Sequence, residues 1–84
     1  MLPNGNKGHF MDGNIHTTAD LGKIVQAARK AQKLSQDDLA GLTGTGRRFI
    51  SELERGKETA HLGKSLHVLR SLGISVIASH QWEA

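Results

Sequence analysis

Residues 44–57 read GTGRRFISELERGK, and the cations in this stretch stand where folding alone gains nothing from them. Arg47 and Arg48 follow a glycine at the predicted start of a helix, and Arg55 and Lys57 close it. Neighbouring cations repel, and a helix N-terminus already carries partial positive charge from its unpaired N–H groups. An anionic partner lying against that end of the helix accounts for the arrangement. Placing successive residues about 100° apart puts Ile50, Leu53 and Glu54 on one face. Arg48, Ser51, Glu52 and Arg55 fall on the opposite face, with Arg47 near its N-terminal edge. Arginine suits guanine O6 and N7 in a major groove, while phosphates accept from Arg, Lys and backbone N–H groups. An isolated arginine pair is more often a solvated basic face, so the neighbouring elements decide between the two readings.

Those elements follow from caps and apolar spacing. Residues 1–16 are rich in Gly and Asn without periodicity, which predicts a disordered tail; Met11 is a candidate internal start. Thr17 with Asp20 predicts a capped helix whose stripe is Leu21, Ile24, Val25 and Ala28, running to about Gln32. Ser35 with Asp38 repeats the cap signature and starts a second helix at Gln36, carrying Leu39, Ala40 and Leu42 and ended by Gly44. Gly46 is a tolerable N-cap for a third helix, from Arg47 to about Arg55, which Gly56 stops. Two short helices joined by a glycine-containing turn describe a helix-turn-helix, and that context favours the DNA-facing reading of the arginines. Thr59 caps a predicted fourth helix with Leu62, Leu66, Leu69 and Leu72 as its buried stripe and Gly73 as its end. ISVIAS, residues 74–79, is β-branched and reads as a strand. A lone strand leaves backbone donors and acceptors unpaired, so pairing with the same strand of a second copy is the simplest repair. Ile74, Val76 and Ile77 would carry that two-fold contact.

One acid stands on the wrong face. Glu54 lies among apolar positions of the third helix, and a buried carboxylate needs a cation to offset its desolvation. Arg29, beside the stripe of the first helix, is the candidate, which makes the two a structural ion pair.

Composition limits the alternatives. Eighty-four residues, 37% hydrophobic and with Phe10, Phe49 and Trp82 as the aromatics, make one small domain that association would help to stabilise. The absence of cysteine excludes disulfides and thiolate metal sites and fits a reducing cytoplasm. No apolar run approaches a membrane span, and the first residues lack the apolar core of a signal peptide. A net charge of +3 permits a nucleic-acid partner without requiring one. His9, His16, His61, His67 and His80 show no metal-ligand spacing, so neither a metal nor any other cofactor is expected. Asp37 and Asp38 sit in the first turn of a helix, where they stabilise its positive end. Gly41, Gly44 and Gly46 follow a helix and are too loosely spaced for a phosphate-binding loop. Ser51 and Ser65 lack a base partner, so no catalytic residue is assigned. Trp82, in a polar tail, either packs against its own dimer or anchors a protein partner.

The stretch SQDDLAGLTGTGRRFISELERGK resembles the helix-turn-helix of lambda-repressor-like, or Xre-family, DNA-binding proteins, over about Leu21 to Leu72. Repressors of this kind dock the second helix of the motif in the major groove. The resemblance implies an all-α fold, a four-helix domain over residues 17–73, followed by residues 74–84 as a dimerisation strand and C-terminal tail. It assigns phosphate contacts to Gln36, Arg55 and Lys57, base-edge contacts to Arg47, Arg48 and Glu52, and a buried pair to Arg29 and Glu54; Ser51 shares the reading face. Thr45 departs from the usual Val, and Gly46 from the Ser or Thr that caps the helix in relatives. The whole layout is similar to HipB-type antitoxins, which implies a homodimer on inverted-repeat double-stranded operator DNA, autoregulation, and a HipA-like serine/threonine kinase toxin as partner. A bacterial, nucleoid-associated location without membrane contact follows from that resemblance. The competing expectation is a stand-alone Xre-type regulator with no toxin.

Overall fold

The computed structural model describes residues 13–82, and among these it contains four α-helices. They are α1 (Thr18–Ala31), α2 (Gln36–Thr43), α3 (Arg47–Glu54) and α4 (Leu62–Ser71). None is long and apolar enough to cross a membrane. Residues 1–12 of the expected tail lie outside the described residues, as do residues 83–84 at the other end.

Two of the helix starts are closed by reciprocal caps. The Thr17 hydroxyl accepts from the Asp20 N–H at 3.0 Å, while the Asp20 carboxylate accepts from the Thr17 and His16 N–H groups. Ser35 and Asp38 repeat the arrangement at α2, at 2.9 and 2.8 Å. These backbone donors hold both aspartates below the usual carboxylate range. Gly44 ends α2 at φ 70°, a conformation an L side chain rarely adopts. Gly46 is the N-cap of α3 and, lacking a hydroxyl, makes no side-chain cap hydrogen bond. Thr45 is half-buried without leaving its hydroxyl unsatisfied. It lies 2.9 Å from the Thr43 hydroxyl, which itself donates to the Leu39 carbonyl at 2.8 Å.

The core is Val25, Leu39, Ala40, Ile50, Leu53, Val68, Leu69 and Leu72. α3 packs on both α1 and α2, and α2 packs on α4. Val25, Leu39 and Ile50 are fully buried, with Leu21 and Ala28 half-buried at the edge. A close approach sets the α1–α3 contact: a Cβ on Gly22 would lie 2.4 Å from the Glu54 carbonyl oxygen. At the end of α3, Gly56 takes φ 83° and its carbonyl accepts from the Thr18 hydroxyl at 2.8 Å. The C-terminus of α3 is thereby pinned to the start of α1.

At the centre of this packing lies an ion pair. Arg29 Nε donates to Glu54 Oε2 at 2.6 Å and Nη2 to Oε1 at 3.1 Å, with side chains 9% and 2% exposed. The remaining fork of Arg29 donates to the Leu34 carbonyl at 2.8 Å, and Gln36 and Gln26 donate to Glu54 Oε1 at 3.1 and 3.5 Å. Burial pushes the Glu54 carboxyl up, but these donors and the guanidinium charge outweigh it and hold the carboxyl below its usual range.

The fourth helix departs from the sequence expectation. It starts at Leu62 with His61, not Thr59, as its cap; His61 Nδ1 accepts from the Lys64 N–H at 3.1 Å. Residues 58–59 form a turn instead. The buried face is Ser65, Val68, Leu69 and Leu72. Leu62 is left 68% exposed in the first turn and Leu66 half-buried. A small serine fits the core because its hydroxyl donates back to the His61 carbonyl at 2.8 Å. Leu42 of α2 is likewise exposed rather than packed. Residues 74–80 carry no regular secondary structure in the single chain, and no strand occurs among the described residues. Ile74 packs against the core, while Val76 and Ile77 are 56% and 85% exposed.

Two outcomes follow from this packing. Arg29→Ala or Glu54→Gln alone should each lower stability in urea titration by about 3–5 kcal/mol, because either leaves an unmatched buried group. The double variant should lose clearly less than the two losses combined; additive losses would show the pair uncoupled. Because the folded Glu54 carboxyl is depressed, its stabilisation is present above the ordinary value of about 4.3 and disappears as pH falls through the folded value. Glu54→Gln should therefore flatten part of the acid limb of the stability profile. Gly22→Ala should cost about 1–3 kcal/mol by overpacking, read as a lower melting temperature; an unchanged Tm would mean that α1 and α3 can separate freely.

Candidate nucleic-acid interface

The outward side of α3 is where the predicted site residues gather. Ile50, Leu53 and Glu54 are buried, so the orientation of the helix is fixed and Arg47, Arg48, Ser51, Glu52 and Arg55 are on its other sides. The Arg47 and Arg48 side chains are 66% and 89% exposed at the N-terminal end. Ser51 is half-buried, and Arg55 is exposed at the C-terminal end. Lys57, just beyond, is 45% exposed.

These side chains are not independent of one another. Arg47 Nε lies 3.5 Å from Asp37 Oδ1 at the first turn of α2, with both groups in solvent. Glu52 takes two cations: Arg48 Nε donates to Oε2 at 3.2 Å and Lys57 Nζ to Oε1 at 3.0 Å. Its carboxyl is held below the usual range by the hydrogen bonds from Lys57 and then Arg48. The Arg48–Glu52 contact has the i, i+4 spacing of helical ion pairs and could have been found from sequence. The Glu52–Lys57 contact could not, because it depends on the turn that Gly56 makes after α3. Lys57 is brought back by its own N–H donating to the Glu52 carbonyl at 3.0 Å.

Gln36 is the residue whose surroundings the sequence did not reveal. It is half-buried at the start of α2 and donates one amide N–H to Glu54, so it joins the buried pair to the helix N-terminus. The side-chain amide of a glutamine has a second N–H. Lys64, on α4, was also not singled out; its Nζ stands 5.9 Å over the Phe49 ring of α3. Trp82 is exposed, and its ring centroid lies 4.4 Å from that of His80. Among the described residues, no three His, Asp or Glu side chains cluster as they would around a metal ion. The face as built offers guanidinium and ammonium donors on long arms beside the Glu52 and Asp37 carboxylates. Such a surface can exchange its internal partners for phosphate oxygens and base edges.

Comparison with known proteins agrees with this geometry. Residues 25–76 match the family described as Helix-turn-helix. The chain is 53% identical over 66 residues to an uncharacterized HTH-type transcriptional regulator, y4mF, of Sinorhizobium fredii, which covers 79% of this chain and 87% of that protein. A chain of the HipA–HipB–O2–O3 complex superposes with a TM-score of 0.75 at 21% identity, covering 84% of this chain and 100% of that one. The restriction-modification controller protein C.AhdI from Aeromonas hydrophila superposes with a TM-score of 0.62 at 31% identity, over 69% of this chain and 84% of that chain. With the α2–turn–α3 unit inside the matched span and its outer face cationic, the chain belongs to the helix-turn-helix family of DNA-binding transcriptional regulators.

Proposed function

We propose that this chain is a sequence-specific DNA-binding repressor that acts as a homodimer on an inverted-repeat operator. The observation that carries the proposal is the exposure of Arg47 and Arg48 at the N-terminus of a helix whose opposite face is locked into the core. That end of α3 enters the major groove, where Arg47, Arg48, Ser51 and Glu52 meet base edges. Gln36, through its second amide N–H, and Arg55 and Lys57 contact phosphates and set the register. Residues 17–73 form the reading domain, residues 1–16 a tail, and residues 74–84 the dimerisation segment.

The dimer reading rests on exposed apolar side chains. Val76 and Ile77 face solvent in a single chain, beside a backbone with no ladder partner. Two copies of this segment pairing about a two-fold axis, with Ile74 at its base, cover the side chains and satisfy the backbone groups together. The same axis sets two reading helices about 34 Å apart, or a multiple of it.

The chain is further proposed to be the antitoxin of a HipBA-like pair, repressing its own promoter and holding a serine/threonine kinase toxin, with Trp82 as an anchor for that partner. Likeness to a chain of the HipA–HipB–O2–O3 complex supports this reading. The second reading is a stand-alone regulator, supported by the plain transcriptional-regulator name of the Sinorhizobium fredii relative and by the likeness to C.AhdI. Co-purification with the product of an adjacent kinase gene separates the two.

Arg48→Ala should cost about 1–3 kcal/mol on the specific operator and relax preference at one base position. Gln36→Ala and Lys57→Ala should weaken specific and random duplexes alike, and Lys57→Ala should reduce the salt slope by about one. An equal loss on every duplex for Arg48→Ala would remove that residue from the base readers. For the dimer, Val76→Pro takes away one ladder donor and restricts the backbone far from the reading face. Sedimentation should show weakened association, with operator binding partly recovered at high protein concentration. An unchanged dimer constant for this variant and for deletion of residues 74–84 would place the interface elsewhere.

A further inference from the structure

Glu52 is the acid on the outward face of α3, and it sits between two cations. Its Oε1 accepts from Lys57 Nζ at 3.0 Å and its Oε2 from Arg48 Nε at 3.2 Å. The carboxylate side chain is 23% exposed, against 89% for Arg48 and 45% for Lys57. The cations ride on long, solvated arms while the carboxylate stays close to the helix. Hydrogen bonds from Lys57 and Arg48 hold its carboxyl below the usual carboxylate range.

A duplex brought to this face competes with Glu52 for Arg48 and Lys57. Ion pairs this exposed contribute little to folding, so the cations exchange readily. The short carboxylate cannot follow them. Near phosphates it meets like charge, and opposite guanine O6 and N7 or thymine O4 it sets acceptor against acceptor. Like-charge juxtaposition across an interface is strongly unfavourable and acts chiefly against wrong partners. An exocyclic amino group relieves it, and cytosine N4 is the usual donor to a glutamate.

We propose that Glu52 is a specificity-determining residue, an internal counter-ion that suppresses binding of the basic face to arbitrary DNA and releases it where a cytosine amino group replaces the cations. The inference rests on the DNA-reading function proposed above and deepens it. Glu52 acts mainly by lowering affinity for most sequences, rather than by adding affinity for one.

The test uses the full chain, as wild type, Glu52→Gln and Glu52→Ala, with fluorescence anisotropy on two labelled duplexes at several salt concentrations. One duplex is selected by the wild type from a randomised library; the other is its scrambled counterpart. Glu52→Gln keeps side-chain size and hydrogen-bonding capacity while removing the charge, and thermal melting of all three proteins accompanies the titrations. Both variants should bind the scrambled duplex about tenfold more tightly than the wild type, with a steeper salt dependence. Affinity for the selected duplex should change much less, and sequences selected by Glu52→Gln should lose cytosine at one position per half-site. Unchanged or weaker scrambled-duplex binding in both variants, with a wild type that still discriminates, overturns the inference alone. A wild type that binds both duplexes equally overturns the DNA-reading function and the inference with it.

Discussion

The arrangement of the outward surface of α3 depends on one buried charge. Glu54 closes α3 from the inside, and its two oxygens collect Arg29 of α1, Gln36 at the head of α2 and Gln26 of α1. Arg29 also holds the Leu34 carbonyl in the connection between α1 and α2. A single carboxylate thus ties together three helices and a loop. An apolar pair of similar volume could be as stable or more so, since desolvating two charges offsets much of their attraction. What apolar side chains lack is direction. The planar fork of arginine fixes the angle of approach, and the angle between α2 and α3 sets where Arg47 and Arg48 stand.

From that constraint the division of charge follows. Cations and acids inside are matched one to one, while outside they are held loosely and remain exchangeable. The small core, eight side chains among the described residues, gives limited stability, so close approaches matter. Gly22 lets α1 lie against the end of α3, and Gly56 turns the chain back so that Lys57 can reach Glu52. Removing side chains at these points is what brings functional groups into reach. Stability and the outward face are joined through the same few residues, as expected of a domain with little apolar surface to spare.

Much of this was legible in the sequence because the signals were local. Reciprocal caps at Thr17–Asp20 and Ser35–Asp38 depend on residues three apart and mark helix starts directly. The i, i+3, i+4 spacing of Ile50, Leu53 and Glu54 oriented α3 and exposed the need for a cation partner. The start of α4 was misread because Thr59 offers the usual hydroxyl, whereas the cap is a histidine ring nitrogen two residues later. Leu62, in the first turn, is left in solvent, and Ser65 enters the buried face because its polarity is hidden by a bond to the His61 carbonyl. The resemblance implies a phosphate contact for Gln36, but its bond to Glu54 depends on tertiary packing that spacing does not encode. The same is true of Gly22, whose role appears only when two backbones meet. Residues 74–80 are a different case: they carry no regular secondary structure in the single chain, and the strand pairing proposed for them needs a second copy.

The most direct measurement is selection from a randomised duplex library by the wild-type protein, followed by titration of the enriched sequence and a scrambled control at one salt concentration. Recovery of an inverted repeat bound about a thousandfold more tightly than the control is the result required of an outward α3 that reads base edges as a two-fold pair. Failure to enrich any sequence, with random duplexes bound equally and salt-dependently, would mean that the arginines of α3 contact only phosphates and that the face does not read base sequence.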